Sequence, residues 1–568
     1  MIRWKMMMGV ARAEARLTRR LVRYWIFMAV AAIVGIFFYA QYSLLHYYFS
    51  SASATVGALN PRFLISDIGF RYLFVFLIGV VFLAMDIRSR DVRERMVEVL
   101  DALPCTNLEL VLGKFIGVFV PSWIPLALII LGIWGTGYIW DASVQPHTVV
   151  YLLLFMAIPA FTVLVGVAYC VLLLVPHRGA AAVLLLALMA AIWAGFFFSP
   201  IWLAPAVDMT GAFMNSFPSD IIPEVISGEA LLQRFAVLLL GLGFLWMAAG
   251  FHPRKDDGSF AKYTGTGLVM IILAAVALGG IVFARKQGLE TRQEWRVAHE
   301  ARLEDPAPNL SSIRGEIVVE PGDELAMDLE LRFLAPVDST LDSALFTLNP
   351  GILVSEARDS QGRDLQFTQE NGLLELALND SLPPGQESSV QIAAAGMPEM
   401  VFGYLDGAKD PLDLQLKEAQ LIILGFISAI NTDTHVTLLP GSCWLPVSGV
   451  DVGRGGSTGH PTDFFMIDLT VSVPEGWTVV MPGRRQEADG GQAGKDSFRF
   501  APGAPVDQVA LIADEYLTHS MEVSGVEAEV LVHPAHDMNM DVFSDSTEAI
   551  RDWMEEKLDE AARLGLPY

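Results

Sequence analysis

The chain has 568 residues, of which 53% are hydrophobic, and a formal net charge of −25. Residues 1–286 carry 21 Lys and Arg against 15 Asp and Glu, whereas residues 287–568 carry 17 against 48. A basic, apolar first part and an acidic second part predict two environments, lipid and water. The acidic charge argues against nucleic acid as a partner, because phosphates would be repelled.

The first 23 residues predict a basic helix on the membrane surface. Their charges are too many before the first apolar run for a cleaved signal peptide. We therefore expect an amphipathic helix over residues 1–23 that lies on the inner face of the membrane.

Seven apolar runs follow, each close to the roughly 20 residues that cross a bilayer as a helix. The predicted spans are 24–44, 68–86, 115–139, 148–175, 180–203, 233–251 and 264–284. Together with the N-terminal helix they make residues 1–285 an all-α transmembrane bundle of about seven helices.

The distribution of cations in the short loops predicts the orientation of these spans. The cation-rich loops carry Arg88, Arg90, Arg93, Arg95, Lys114, Arg178, Arg254, Lys255 and Lys262. The alternate loops, 45–67, 140–147 and 204–232, carry only Arg62. This places the N-terminus in the cytoplasm and everything after about residue 287 outside the inner (plasma) membrane. Arg285 and Lys286 directly follow the last span and favour the opposite side, so a miscounted span would make the second part cytoplasmic.

The spans give no signal for a proton-coupled transporter, because none carries a run of ionisable residues. Their glycines, Gly166, Gly195, Gly241 and Gly243, predict close helix packing. The three cysteines, Cys105, Cys170 and Cys443, are too far apart to predict a disulfide framework.

The predicted cytoplasmic loop 86–114 contains two short helices separated by a proline turn. Residues 91–103 have one apolar helical face, and Pro104 ends that helix. Thr106 is placed to cap the next helix, with Glu109 at the position that completes a capping box. On spacing alone, a solvated loop is an equally good interpretation.

This loop resembles the one between the second and third spans of ABC-2-type transporter permeases. The residues that carry the resemblance are Asp91, Arg93, Arg95, Glu98, Leu100, Pro104, Glu109, Leu110, Leu112, Gly113 and Lys114. The resemblance covers residues 1–250 and implies that the loop seats on a cytoplasmic ABC ATPase subunit. It also implies that two permeases pair as a homo- or heterodimer. The chain has no G-x-x-x-x-G-K-[ST] loop, so ATP would be bound by the partner.

After a predicted linker, 286–310, the apolar residues alternate with period two in short runs separated by Gly, Pro, Asn or Asp. This pattern predicts a mainly antiparallel β-domain over 311–520. The last segment, 521–568, predicts a strand and then a helix. The apolar face of that helix consists of Ile550, Trp553, Met554, Leu558, Ala561 and Leu564.

The second part resembles the N-terminal β-domain of M1-family zinc aminopeptidases. The matching stretches are 345–367, 380–398, 443–446 and 468–483, and residues 521–568 resemble the start of that family's catalytic domain. The family's zinc site requires H-E-x-x-H and a further Glu, and this chain contains no such motif. The resemblance therefore implies a truncated or split fusion that is inactive alone, with zinc only where a missing catalytic domain exists.

His533 and His536 are the only close histidine pair, and a loop at the end of a strand is a simpler interpretation than a metal site. Our leading hypothesis is an ABC-2-type permease subunit with an extracytoplasmic β-domain. One alternative is a membrane-anchored M1-type aminopeptidase whose catalytic part lies outside this chain. The other is a membrane-anchored docking or adaptor protein.

Overall fold

The structure is a computed structural model. It describes residues 3–49, 69–84, 104–139, 149–175, 177–211, 228–254, 259–403, 405, 428–450, 463–488, 494–523, 526–534 and 556–557.

The first part of the chain is helical. Its first helices are α1 (Trp4–Arg20), α2 (Val22–Phe49), α3 (Gly69–Ala84) and α4 (Asn107–Ile139). A π-helix (Tyr151–Met156) leads into α5 (Ala157–Leu174), followed by α6 (Arg178–Phe198), α7 (Ala204–Val207), α8 (Gly228–Phe251) and α9 (Phe260–Glu300).

Among the described residues, five helices are long and apolar enough to cross a membrane. They are Asn107–Gly132, Tyr151–Leu174, Gly179–Phe196, Gly228–Phe251 and Phe260–Glu300. These coincide with five of the seven predicted spans. The first two predicted spans coincide with α2 and α3. Within α2, the segment Val22–Val34 is apolar but shorter than a membrane span.

Close packing between helices depends on glycine at Gly166, Gly241 and Gly243, as the sequence predicts, but not at Gly195, where a Cβ would lie 3.9 Å from the nearest atom of another element. A Cβ at Gly241 of α8 would lie 2.5 Å from the Val163 backbone nitrogen in α5. A Cβ at Gly243 would lie 2.9 Å from the carbonyl oxygen of Gly267 in α9. Helix α8 therefore touches α5 and α9 backbone to backbone, which only glycine permits.

Helix α8 connects the two ends of the bundle over about 36 Å. Near its start, Glu229 contacts Arg285 of α9. Beyond its end, the Arg254 guanidinium donates to the carbonyl oxygen of Cys105, just before α4. One end of the bundle, the α4 end, therefore carries the start of α4, whereas the opposite end, the α7 end, carries residues 285 and 286.

The second part of the chain is mainly antiparallel β-structure. Its strands are β1 (Asn309–Val319), β2 (Leu325–Leu334), β3 (Leu341–Thr347), β4 (Ile352–Asp359), β5 (Gln366–Glu370), β6 (Leu373–Leu382), β7 (Glu387–Gly396), β8 (Ala429–Asn431), β9 (Val436–Leu438), β10 (Val447–Ser448), β11 (Met466–Pro474), β12 (Thr478–Val480), β13 (Arg485–Glu487), β14 (Lys495–Phe500), β15 (Leu511–Asp514), β16 (Leu517–Val523) and β17 (Val526–Val532).

These strands form one large sheet and three smaller ones. The strand orders are β13-β14-β11-β1-β2-β7-β4, β10-β3-β6-β5, β12-β15-β9-β8 and β16-β17. In the large sheet β1 pairs antiparallel with β2 and parallel with β11, with Ile313 opposite Leu331 and Ile467. Strands β2 and β11 alternate buried and less buried residues, so one face supplies the core.

The structure differs from the sequence-based boundaries in two places. The predicted linker 286–310 is helical as far as Glu300, because α9 continues past the end of the apolar run. The boundary at 520/521 falls inside the β16–β17 hairpin, whose strands pair throughout from Leu517 to Val532. The predicted C-terminal helix lies outside the described residues except for Glu556 and Lys557, which are helical.

Candidate functional site

The predicted capping box at the start of α4 is present. The Thr106 backbone N–H donates to Glu109 Oε2 at 3.0 Å, and the Glu109 backbone N–H donates to Thr106 Oγ1 at 3.2 Å. These two reciprocal hydrogen bonds satisfy backbone donors that the first turn of a helix leaves unpaired. The helix that follows the proline turn therefore has a fixed starting point.

The N-terminal segment closes on the same carboxylate. The Arg3 backbone N–H donates to Glu109 Oε1 at 2.6 Å, and the Arg3 guanidinium lies 3.2 Å from Glu109 Oε2. The Glu109 side chain is fully buried, while that of Arg3 is half exposed. One carboxylate therefore fixes both the start of α4 and the start of α1.

Helix α1 then runs alongside the first turns of α4. A Cβ at Gly113 would lie 2.8 Å from the Met7 carbonyl oxygen, and one at Gly117 would lie 2.8 Å from the Ala11 carbonyl oxygen. Glycines four residues apart on one helix face allow the two helices to touch along their backbones. The cations Arg12, Arg16, Arg19 and Arg20 remain exposed on the other side of α1.

Of the remaining predicted coupling residues, two are described by the structure and four are not. Pro104 is exposed, and Lys114 is 4% exposed. The Asn107 side chain donates to the Arg254 carbonyl oxygen at 2.9 Å, which ties this segment to the end of α8. The predicted coupling residues Asp91, Arg93, Arg95 and Glu98 lie outside the described residues.

We name residues 3–20, 104–114 and 252–254 the seat. Its three segments come from distant parts of the sequence and meet at the α4 end of the bundle. The hydrogen bonds and backbone contacts join α1, α4 and α8 into one preformed surface with exposed arginines.

A buried ion pair lies at the α7 end and was missed by the sequence analysis. Arg234 Nη2 lies 3.7 Å from Asp208 Oδ2, and each side chain is 1% exposed. Asp208 Oδ1 accepts from the Gly211 backbone N–H at 2.8 Å, and Arg234 donates to the Asp208 carbonyl oxygen. The pair holds the segment after α7 against α8.

Neighbouring polar groups extend this cluster. Gln233 Nε2 donates to the Pro205 carbonyl oxygen at 2.8 Å, and its Oε1 accepts from Arg234 Nε. An apolar cavity borders Asp208. Its lining includes Leu77, Leu164, Met189, Trp193 and Phe196. The sequence signal was Gln233-Arg234 at the start of an otherwise apolar run, since a cation there needs a buried partner.

The β-domain contains a hydrogen-bonded histidine in its third sheet. His435 Nδ1 donates to Asp514 Oδ2 at 2.8 Å, and Nε2 lies 2.6 Å from Thr437 Oγ1. Asp514 is 1% exposed and His435 8%. Thr437 lies on β9 and Asp514 on the paired strand β15, and His435 directly precedes β9, so these hydrogen bonds link the two strands.

The potential metal ligands are the His, Cys, Asp and Glu side chains in the part of the chain that the structure describes. There, no group of three or more His, Cys, Asp or Glu side chains could hold a metal ion. His533 directly follows β17 and is half-buried, whereas its predicted partner His536 lies outside the described residues. Cys105, Cys170 and Cys443 are all buried thiols.

Known proteins give only partial likenesses. No protein-family model and no curated protein matches the chain. The M1 zinc metallopeptidase from Deinococcus radiodurans is 20% identical with a TM-score of 0.30, over 40% of this chain and 46% of that chain. A variant of that enzyme with a bound Tyr-Ser-Ala substrate is 20% identical with a TM-score of 0.30, over 39% and 46%.

A two-domain M1 zinc metallopeptidase variant with bound L-tryptophan is 20% identical with a TM-score of 0.29, over 39% of this chain and 47% of that chain. The chain therefore spans about half the length of the solved structures that it matches. Such partial likenesses carry no conclusion about activity.

Proposed function

We propose that the chain is the transmembrane permease subunit of an ABC-2-type transporter, driven by a separate cytoplasmic ATPase. The observation that carries this proposal is the seat. Loop 104–114, α1 and the end of α8 are locked together around Glu109 at the end of the bundle that the positive-inside rule assigns to the cytoplasm. The β-domain is then held on the extracytoplasmic side.

The mechanism requires no catalytic group in this chain. The partner would bind and hydrolyse ATP, and its movement would act on the helix that the sequence predicts at 91–103 and on the seat. Because Thr106 and Glu109 cap the first turn of α4, a displacement there would shift that turn rather than unwind it. Two such bundles, or one with a different permease, would enclose the transport path.

The test is co-purification of the tagged full-length chain from its native membranes. We expect the wild-type chain to retain a Walker-motif ATPase, identified by mass spectrometry and by Mg-ATP hydrolysis. The double charge reversal R93E/R95E should lose most of this association, because the partner's acidic groups would then face like charges. The matched control is R358E, a charge reversal on the β-domain.

Two outcomes would contradict the proposal. ATPase association that is equal in R93E/R95E and R358E would remove the coupling role of the loop. Stoichiometric zinc, or hydrolysis of aminopeptides by the purified chain, would instead favour the membrane-anchored aminopeptidase.

A further inference from the structure

Helix α9 extends well beyond the apolar run that predicts a membrane span. Its 41 residues correspond to about 60 Å of helix, whereas the predicted span 264–284 takes about half of that length. Residues 285–300 are mostly polar and continue the same helix into the β-domain. The helix contains no proline, and its only adjacent glycines, Gly279 and Gly280, lie within the predicted span rather than in residues 285–300.

Two contacts anchor this helix to the α7 end of the bundle. Arg285 Nε lies 2.5 Å from Glu229 Oε1, near the start of α8. The Lys286 ammonium lies 5.8 Å from the centre of the Trp202 ring, just before α7. An ion pair and a cation–π contact on successive residues bind α9 to two separate elements.

The next buried residues of α9 dock on the β-domain. Arg292 donates from Nε to the Val401 carbonyl oxygen at 3.1 Å and from Nη2 to the Gly403 carbonyl oxygen at 2.7 Å. The ring of Trp295 meets Phe402 edge to face, with centroids 5.2 Å apart. The Arg292 guanidinium therefore binds the two residues that flank Phe402, and the Trp295 ring contacts Phe402 itself.

One turn further on, His299 Nε2 donates to the Asn371 carbonyl oxygen at 3.0 Å. This oxygen belongs to the tight β5–β6 turn, where Asn371 has φ 56° and Gly372 packs against the Phe402 ring. Arg292, Trp295 and His299 are 3%, 7% and 0% exposed, at a spacing that places them on one helix face. The docking face is therefore a specific joint, made by buried side chains.

The joint continues just beyond the helix. Arg302 Nη1 lies 2.9 Å from Glu375 Oε2. Hydrogen bonds from Arg302 and Ser343 lower the pKa of Glu375, so this carboxylate remains ionised and paired. The contacts from Arg292 to Arg302 cover about three helical turns.

We propose that α9 is a rigid stalk that joins the last span and the β-domain into one body, so that a tilt of the span reorients the β-domain. Between the anchor at 285–286 and the joint at 292, the exposed Gly288 has no described atom of another element within 4 Å of the position of a Cβ. Among the described residues, the helical backbone continues through this position without a side contact. This inference concerns the chain itself and does not depend on a separate ATPase.

The test uses spin labels on introduced cysteines in the full-length chain, since the three native thiols are buried. One pair, Phe198→Cys with Val337→Cys, measures the distance from bundle to β-domain, at positions 72% and 90% exposed. The other pair, Val297→Cys with Val337→Cys, measures the distance across the joint. Gly288→Pro breaks the helical hydrogen bonds at the bare segment, and Gly288→Ala is its matched control.

We expect a narrow distance distribution for both pairs in the control. Gly288→Pro should at least double the width of the distance distribution for the 198–337 pair. The distribution for the 297–337 pair should stay narrow, which would show that the β-domain remains folded and docked on α9. Arg292→Ala should broaden the 297–337 pair. A narrow 198–337 distribution in Gly288→Pro, or a broad one in Gly288→Ala, would overturn the proposal.

Discussion

At the residue scale, the Asp208–Arg234 pair places two opposite charges among apolar helices. Removing each ion from water costs several kcal/mol, and their mutual attraction offsets this only when further hydrogen bonds satisfy the remaining polar atoms. Here Gly211 and Gln233 supply such bonds. The pair therefore fixes one arrangement of the segment after α7, while adding little net stability.

Removing one member of this pair should be strongly destabilising. Asp208→Asn keeps the size of the side chain but leaves the buried Arg234 charge uncompensated. We expect a loss of about 3–5 kcal/mol in the free energy of unfolding, measured by denaturant titration in detergent. The double variant Asp208→Asn/Arg234→Met should recover part of that loss, because the orphaned charge is gone.

The control for Asp208→Asn is a variant of a partly exposed ion pair on α9. Arg296 and Glu300 lie 2.8 Å apart with half-exposed side chains, so Arg296→Ala should change the free energy of unfolding by no more than about 1 kcal/mol. If Asp208→Asn costs no more than this control, the pair has no role in holding the α7 segment.

Sequence reasoning at this scale succeeds only for local contacts. The capping box was predicted because Thr106 and Glu109 are three residues apart, which is a helical spacing. The contact of Glu109 with Arg3 spans 106 positions, and no local pattern encodes it. Arg234 was missed for the same reason, since its partner Asp208 lies 26 residues away.

At the element scale, the attachment of α1 to α4 depends on two glycines. Gly113 and Gly117 face the backbone of α1 at distances that no larger side chain permits. Because Arg3 directly precedes α1, any loss of this packing weakens the Glu109 contact as well. The glycines therefore keep the seat in one piece.

Adding one methyl group at this contact should loosen α1. Gly117→Ala places a Cβ against Ala11 and Glu14, and overpacking of this kind costs about 1–3 kcal/mol. We expect faster hydrogen exchange across Trp4–Arg20, measured by mass spectrometry. Gly132→Ala is the control on the same helix, because no atom lies within 4 Å of its Cβ position. Equal exchange in both variants would show that α1 is held without this contact.

The elements themselves were largely predictable, and their partners were not. Apolar runs of about 20 residues, the length that crosses a bilayer as a helix, mark helices α4, α5, α6, α8 and α9. The sequence predicts a linker over 286–310 because residues 286–300 of α9 are mostly polar and bury only one narrow face on the β-domain. Period two predicted strands such as β1 and β11, but not their parallel pairing across some 150 residues.

At the scale of the whole molecule, the two ends of the bundle carry different elements. The seat lies where α8 ends and α4 begins. The β-domain extends from the other end, where α9 passes Glu229 and Trp202. Because α5, α8 and α9 touch along their glycines, displacement of one of these helices moves its neighbours. A displacement of the seat would therefore be passed to α9 through α8, which packs against it.

This arrangement predicts that α1 and the β-domain lie on opposite sides of the membrane. Arg12→Cys and Val337→Cys place single exposed thiols on the two parts, and the native cysteines are buried. In sealed spheroplasts, a membrane-impermeant maleimide should label Val337→Cys at once and Arg12→Cys only after lysis. The unsubstituted chain, treated identically, gives the background. This expectation follows from the positive-inside rule, because cation-rich loops normally remain on the cytoplasmic side. Labelling of Val337→Cys only after lysis would contradict this topology and would leave the seat out of reach of a cytoplasmic ATPase.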